Sequence, residues 1–436
     1  MSRAMKDSGI PWIGEIPSHW ETCFIKQVMR NKSVKGYPDE QVLSLNRDYG
    51  VVPKDSRDDN HNVTSEDTSG YKLVDVGDFV INKMKAWQGS MAVSEYRGII
   101  SPAYYICRFT APVYKKYIHY LLRNETYKAE YLRLSTGLRV GQWDLNVDDF
   151  LHIPMVLPPI PEQQAIADFL DKKCSEIDEM VLLQENIVEE LKAYKQSVIT
   201  ETVCRGLNPD VPTKDSGIEW IGQIPAGWTV APFKTVYSLG KGLSITKADL
   251  VEKGVPVISY GQIHSKLNSG TSIIEELIRF VPETYLSSNT EALVKEGDII
   301  FADTSEDLGG CGNCVYVDKK ETLFAGYHTI IARNQTEEHN NYFSYLFLTD
   351  CWRKQIRSVV NGVKLFSIPQ RILSATSIII PPIEEQCQIG RYLDNKCTII
   401  DTLISIKKSK IDALKEYKKS IIYEYITGKK EVPYGE

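Results

Sequence analysis

Two loops of this 436-residue chain carry side chains suited to donate hydrogen bonds to phosphates and to the edges of bases. Asn82-Lys83-Met84-Lys85-Ala86-Trp87-Gln88-Gly89 follows a run with strand character, and Lys83, Lys85 and Gln88 in it are cationic or amide donors. Trp87 in the same run reads first as a packing residue. In the other half the corresponding stretch is Asp303-Thr304-Ser305-Glu306-Asp307, which is acidic, with Thr304 and Ser305 as its candidate contacts. A glycine followed by a basic residue occurs once in each half. Arg139 and Gln142 follow Gly137, and Lys364 and Phe366 follow Gly362. Each basic residue reads either as a nucleic-acid contact or as half of a structural ion pair.

Between Tyr114 and Arg139 six Lys or Arg stand against two acids, interleaved with five tyrosines; between Tyr342 and Lys364 the ratio is four to one. Lys128 and Arg353 are candidate phosphate contacts from these stretches, since cations on a helix near a duplex position it without reading sequence. The alternative is a solvated helix whose tyrosines form a core face, and the tyrosines themselves are assigned to core.

Catalytic chemistry is harder to find. The adenine-methylase tetrad of Asn or Asp, two prolines and an aromatic residue is missing, because the proline pairs occur as Leu-Pro-Pro-Ile and Ile-Pro-Pro-Ile. Gly240-Lys241-Gly242-Leu243 lacks the spacing and the hydroxyl of a phosphate-binding loop. No nuclease core of PD…(D/E)xK type is evident. Cys311-Gly312-Asn313-Cys314 is half a zinc site with neither a second pair nor a counterpart in the other half. The chain is expected to be non-catalytic, with no metal and no bound cofactor.

The elements that must position these loops are written twice. Lys6–Trp20, KDSGIPWIGEIPSHW, returns as Lys214–Trp228, KDSGIEWIGQIPAGW, with eleven of fifteen positions identical. Leu157–Asp178 returns as Ile380–Asp401, and Leu191–Ile199 as Leu414–Ile422, both at an offset of 223. A fainter block sets Tyr117, Tyr120, Tyr127 and Gly137 against Tyr342, Tyr345, Trp352 and Gly362, and VGDFVI (Val76–Ile81) matches EGDIIF (Glu296–Phe301). Each repeat has a Trp-rich opening, a body of short apolar runs bounded by Gly, Pro, Asn and Asp, a late helix, and a long tail. The opening reads as a packed strap closing the body onto its tail.

The tails have helical period. Prolines at 158, 159 and 161 precede Glu162 and Gln163, and no Gly or Pro follows until after Thr202. Heptads place Leu170, Ile177, Gln184, Leu191 and Val198 at a and Lys173, Met180, Ile187, Tyr194 and Glu201 at d. In the second tail Leu393, Ile400, Lys407, Leu414 and Ile421 fall at a, and Lys396, Leu403, Lys410, Tyr417 and Glu424 at d. Cys174, Val181 and Val188 widen the first stripe at e. The period predicts a coiled-coil seam, and the order of elements predicts an antiparallel pair of rods, each about 60 Å long. The fold class expected is α+β: two tandem α/β domains separated by two long helices forming an antiparallel coiled coil, a pseudo-two-fold dumbbell. Its divisions are 1–157, 158–207, 208–380 and 381–436.

This arrangement resembles the DNA-specificity subunit of Type I restriction–modification enzymes. The likeness rests on WIGEIPSHW and WIGQIPAGW, on INKMKAWQGS followed by GIISPAYYICRF, and on LPPIPEQQAIADFLDKK with IPPIEEQCQIGRYLDNK. It implies two target-recognition domains, each reading half of a split sequence in double-stranded DNA. It further implies docking of two adenine-methyltransferase subunits, with restriction or translocase subunits on that core. S-adenosylmethionine, ATP and magnesium would belong to those partners. Net charge is −6, so DNA contact must rest on local patches. The same charge suits the rival reading, a duplicated adaptor holding two copies of one protein. Nine cysteines without a framework and no apolar spanning stretch suit a cytoplasmic protein that does not enter membranes.

Overall fold

The two long helices begin and end with the same devices. In the computed structural model, which describes residues 3–47, 49–56, 67–137, 143–335, 341–362 and 364–433, they run Ile160–Arg205 and Ile383–Ile426. Prolines suit these starts because the first N–H groups of a helix have no internal partner. The buried amide of Gln163 donates to the Pro158 carbonyl at 2.8 Å, and that of Gln386 to the Pro381 carbonyl at 2.9 Å. Glu162 in one first turn, and Glu384 and Glu385 in the other, complement the positive end of the helix dipole. Just past each C-terminus stands a left-handed glycine, Gly206 (φ 78°) and Gly428 (φ 71°). That conformation is strained for any residue with a Cβ, so glycine is the natural terminator.

The chain divides into two compact units that are not consecutive in sequence: Met1–Glu185 with Lys408–Glu436, and Asn186–Lys407. Sequence segments 158–207 and 381–436 are therefore each divided between them. In the first unit Asp178 pairs with Lys418 at 2.6 Å and Glu185 with Lys415 at 3.2 Å. Numbers rise along one helix as they fall along the other, so the two run antiparallel. The second unit repeats the first of these pairs at the 223-residue offset, Lys195 with Asp401 at 2.7 Å. Both units contain a segment of antiparallel coiled coil.

The seam differs from the expected one in its second column. Leu170, Cys174, Ile177, Gln184 and Val188 are buried on the first helix, and Leu393, Cys397, Ile400, Ile404, Ile411 and Ile421 on the second. Their steps are four, three or sums of the two, which places them all at positions a and e of the assigned heptad. Leu191, Val198, Ile187 and Leu414 are half-buried. Met180, Tyr194, Leu403 and Tyr417, expected at d, are exposed at 47%, 52%, 40% and 55%. Cys174, Val188 and Cys397 in the true column, compact beside Met or Tyr, suit close approach of two helices against Ile404 and Ile411, whereas Met and Tyr on the flank keep their length in solvent.

Each body is built on the same four-stranded antiparallel sheet. In the first unit the order across it is Met29–Lys32, Tyr104–Phe109, Phe79–Asn82, Met91–Val93; in the second it is Tyr237–Lys241, Thr329–Asn334, Ile299–Ala302, Cys314–Tyr316. The last strand before each long helix, Pro154–Leu157 or Ser377–Ile380, pairs with the strand that follows the strap, Glu21–Phe24 or Thr229–Pro232. The bodies then diverge. The second adds another four-stranded sheet, Arg279–Val281, Val255–Ile258, Leu323–Ala325 and Leu293–Val294, with one parallel pairing. The first has two-stranded pairs there, Leu43–Asn46 with Gly50–Pro53 and Lys72–Val74 with Gly98–Ile100.

Body and helix meet in a repeated joint. Tyr117 in helix Lys115–Arg123 donates to the Ile426 carbonyl at 3.0 Å, and Tyr342 in helix Tyr342–Leu348 to the Val203 carbonyl at 2.9 Å. Tyr120 donates to Asp171 at 2.7 Å, and Tyr345 to Asp394 at 2.8 Å. Burial pushes Tyr117 and Tyr342 well above the usual phenol range, which keeps both as donors. The strap tryptophans Trp20 and Trp228 are buried beside the terminal glycines. Among the described residues no helix is long and apolar enough to cross a membrane.

Candidate nucleic-acid interface

The central strand of each sheet runs out into the loop singled out by its donors. After Phe79–Asn82 the chain makes a 3-10 turn, Lys83–Gln88, because Asn82 Oδ1 accepts from the Met84 N–H at 3.2 Å and Gly89 closes it at φ 79°. Lys83 reaches Asp144 at 3.0 Å, and its carbonyl accepts from Leu145 N–H at 3.1 Å. This hydrogen bond to Asp144 holds the ammonium above its ordinary pKa. Trp87 meets Trp143 edge to face at 5.3 Å. The 82–89 turn and residues Trp143–Leu145 are thus brought to one place, with Thr136 and Asp144 bridged beside them. Arg139 and Gln142 lie outside the described residues. Lys85 is exposed and forms no ion pair among the described residues, and Gln88 is half-buried. Lys128 is tied to Glu125 at 2.7 Å and lies over Gly89.

Lys128 also borders a cleft of about 1590 Å³ in the first unit, between body and helices. Its lysines are neutralised in place: Lys116 by Asp171 at 2.6 Å, Lys418 by Asp178 at 2.6 Å and Lys128 by Glu125. The cleft is a joint with matched charge and not an open positive groove.

The second unit brings the same two segments together as a ribbon. Thr304–Ser305 pairs antiparallel with Phe366–Ser367, and Ile368 N–H donates to the Asp303 carbonyl at 2.7 Å. Lys364 is exposed two residues before the ribbon, Phe366 is half-buried, and Ser305 is buried with its hydroxyl donating to the Asp307 carbonyl at 2.6 Å. Behind it runs a relay. Arg353 Nε donates to the Phe347 carbonyl at 2.7 Å and its NH1 to Asn313 Oδ1 at 2.8 Å. Asn313 Nδ2 faces His264 Nδ1 at 3.1 Å, and His264 Nε2 faces the Thr304 carbonyl at 2.8 Å. Since the amide donates to Nδ1, the ring carries its proton on Nε2 and donates it to Thr304. Burial lowers the Arg353 pKa from its usual value. The expectation of a phosphate contact is therefore replaced for Arg353 by an interior one: its guanidinium braces the ribbon from behind.

Cys311 and Cys314 are buried behind this loop, and burial pushes the Cys314 thiol up to about 12. Sequence reasoning overlooked Asn313 between them, whose amide links Arg353 to the ribbon. It also passed over His264 and His328, which no periodicity marks.

The fold and the doubled loop-bearing sheet define a chain of two like α+β units. The family model of the Type I restriction modification DNA specificity domain matches residues 17–193 and again 225–416, and the chain belongs to that family. The chain is 26% identical over 314 residues to the Type I restriction enzyme MjaVIII specificity subunit of Methanocaldococcus jannaschii, covering 71% of this chain and 69% of that one. A second protein of the same organism, the putative type I restriction enzyme MjaX specificity subunit, is 22% identical over 445 residues, 96% of this chain and 95% of the other. Among solved structures, a chain from work on complex assembly and conformational transition of the type I R-M system superposes with a TM-score of 0.71 at 13% identity, covering 94% and 98% of the two chains. The HsdS subunit from Thermoanaerobacter tengcongensis gives 0.54 at 14% identity, covering 95% and 98%. These two structures share the fold.

Proposed function

We propose that this chain is the sequence-reading, non-catalytic subunit of a Type I restriction–modification complex, each of its two bodies reading one half of an asymmetric split target in double-stranded DNA. Two adenine-methyltransferase subunits dock on it, and restriction subunits join through that core. S-adenosylmethionine, ATP and magnesium belong to those partners.

The observation that carries this reading is a contrast within the duplication. The sheet order, the Tyr–Asp joints, the terminal glycines and the Asp–Lys pairs of the helices are the same twice. The loop that leaves the central strand is not: one copy presents Lys83, Lys85 and Gln88, the other Asp303, Thr304 and Ser305. A scaffold kept constant under loops of different chemistry suits two readers of different sequences on one frame.

The test is the pattern of adenine methylation. Genomic DNA from cells with the intact chain carries one bipartite methylated motif that disappears when the chain is deleted. Replacing Glu21–Phe150 by the corresponding body of another specificity subunit changes one half of the motif and leaves the other. An unchanged motif after the exchange overturns the reading.

A further inference from the structure

One residue beside the second ribbon is held in a conformation that its type disfavours. His328, in the turn between strands Leu323–Ala325 and Thr329–Asn334, has φ 54° and is the sole non-glycine residue with positive φ among the described residues. A Cβ-bearing residue pays a steric penalty there, and glycine does not. The turn is fixed by backbone bonds that glycine would also make: Asp303 N–H donates to the His328 carbonyl at 3.1 Å, and Tyr260 N–H to that of Tyr327 at 3.3 Å. The backbone gains nothing from a histidine, so its side chain is the reason to look further.

That side chain is aimed and exposed. Nδ1 stands 3.2 Å from Asp303 Oδ1, while the side chain is 57% exposed. The ring meets Tyr260 at 5.4 Å and Tyr327 at 6.1 Å, both edge to face, and the tyrosines meet each other at 5.6 Å. With Nδ1–H donating to the carboxylate, Nε2 is left as an acceptor without a partner among the described residues. Asp303 immediately precedes Thr304, so the imidazole stands at the edge of the ribbon.

The sheets give the matched position in the other body. Thr329 pairs with Ala302 in one sheet and Tyr104 with Asn82 in the other, so His328 and Asp303 correspond to Ala103 and Lys83. A histidine aimed by a carboxylate stands in one body where the other has an alanine beside a lysine. The difference falls at the same place on the same frame.

We propose that His328 is a specificity-determining residue of the second body: its imidazole, oriented by Asp303 and braced by Tyr260 and Tyr327, accepts a hydrogen bond from the exocyclic amine of an adenine or cytosine in the major groove of that half-site. The inference rests on the reading of the chain as a bipartite DNA reader. It is tested with the full chain in its complex, in cells lacking the native copy, by sequencing genomic adenine methylation. His328→Gly is the variant of choice because glycine accepts the backbone conformation freely. The expected result is a motif relaxed at one position of one half, with discrimination there falling about tenfold, and the other half unchanged. Asp303→Asn, which weakens the hold on Nδ1, relaxes the same position less. A His328→Gly complex with an undiminished motif, or one weakened evenly over all sequences as for a phosphate contact, overturns the assignment. Absence of any bipartite motif with the unaltered chain would instead sink the reading beneath it.

Discussion

The column of residues that closes the helix pair can be tested by two substitutions one turn apart. Ile177 is 4% exposed and Met180 is 47% exposed. Ile177→Ala removes three buried carbons and leaves a cavity between helices, at a cost of about 3 kcal/mol within the range of about 2–5 for such losses. Met180→Ala removes atoms already in water and costs within about 0.5 kcal/mol. For a cooperative unit of this size one kcal/mol moves Tm by about 2–4 °C, so the first variant melts roughly 6–12 °C lower and the second within about 2 °C of the parent. The internal repeat supplies the control, since Ile400 is 3% and Leu403 40% exposed in the second unit. Thermal unfolding followed by far-UV circular dichroism reads all four. If Met180→Ala and Leu403→Ala lose as much as their isoleucine neighbours, the seam runs through a and d after all and the packing described above is wrong.

Two further outcomes follow from single contacts. Cys351 Sγ lies 3.4 Å from Cys204 Sγ, and the hydrogen bond from that thiol brings Cys351 down to about 7 while Cys204 is raised. A lowered pKa puts Cys351 in its thiolate form above pH 7, so iodoacetamide alkylates it before the other eight cysteines. Its rate rises through neutral pH, it falls away in acid, and Cys204→Ser shifts the profile; peptide mass spectrometry measures each. Gly206→Ala and Gly428→Ala each force a Cβ into the left-handed region, costing about 1–2 kcal/mol. The second loses more, because its Cβ would stand 2.3 Å from Pro17 Cδ whereas that of the first meets Trp228 at 3.1 Å. Denaturant unfolding of the two variants gives the ranking.

Much of this frame is legible in the residues because the duplication repeats it. A reader of the sequence can align Tyr117 with Tyr342 and Asp178 with Asp401, and the structure gives each pair the same role. The seam's second column is not legible in the same way. Met180, Ile187 and Tyr194 are as apolar as Cys174, Val181 and Val188, and apolarity does not reveal which column is small enough for two helices to close upon. The candidate interface is legible only in outline, as a turn after Asn82 that meets Trp143 and Asp144. Individual side chains are not. Arg353 has the right charge but spends it on Phe347 and Asn313, which depends on a strand forty residues away. His328 carries no local signature, because a left-handed turn is ordinarily announced by Gly or Asn.

The interleaving of the units has a consequence for how the protein is made. The first unit needs Lys408–Glu436 to complete its core, with Ile421, Tyr425 and Ile426 packed among Ile166, Leu170 and Ile177. On the ribosome the amino-terminal body is finished early, yet its helix waits while more than half the chain is translated. At 5–20 residues per second that delay is roughly 10–50 s. Through that interval an apolar helix face is open to other nascent chains, and a message truncated near its end would yield an intact second unit beside a first that never closes.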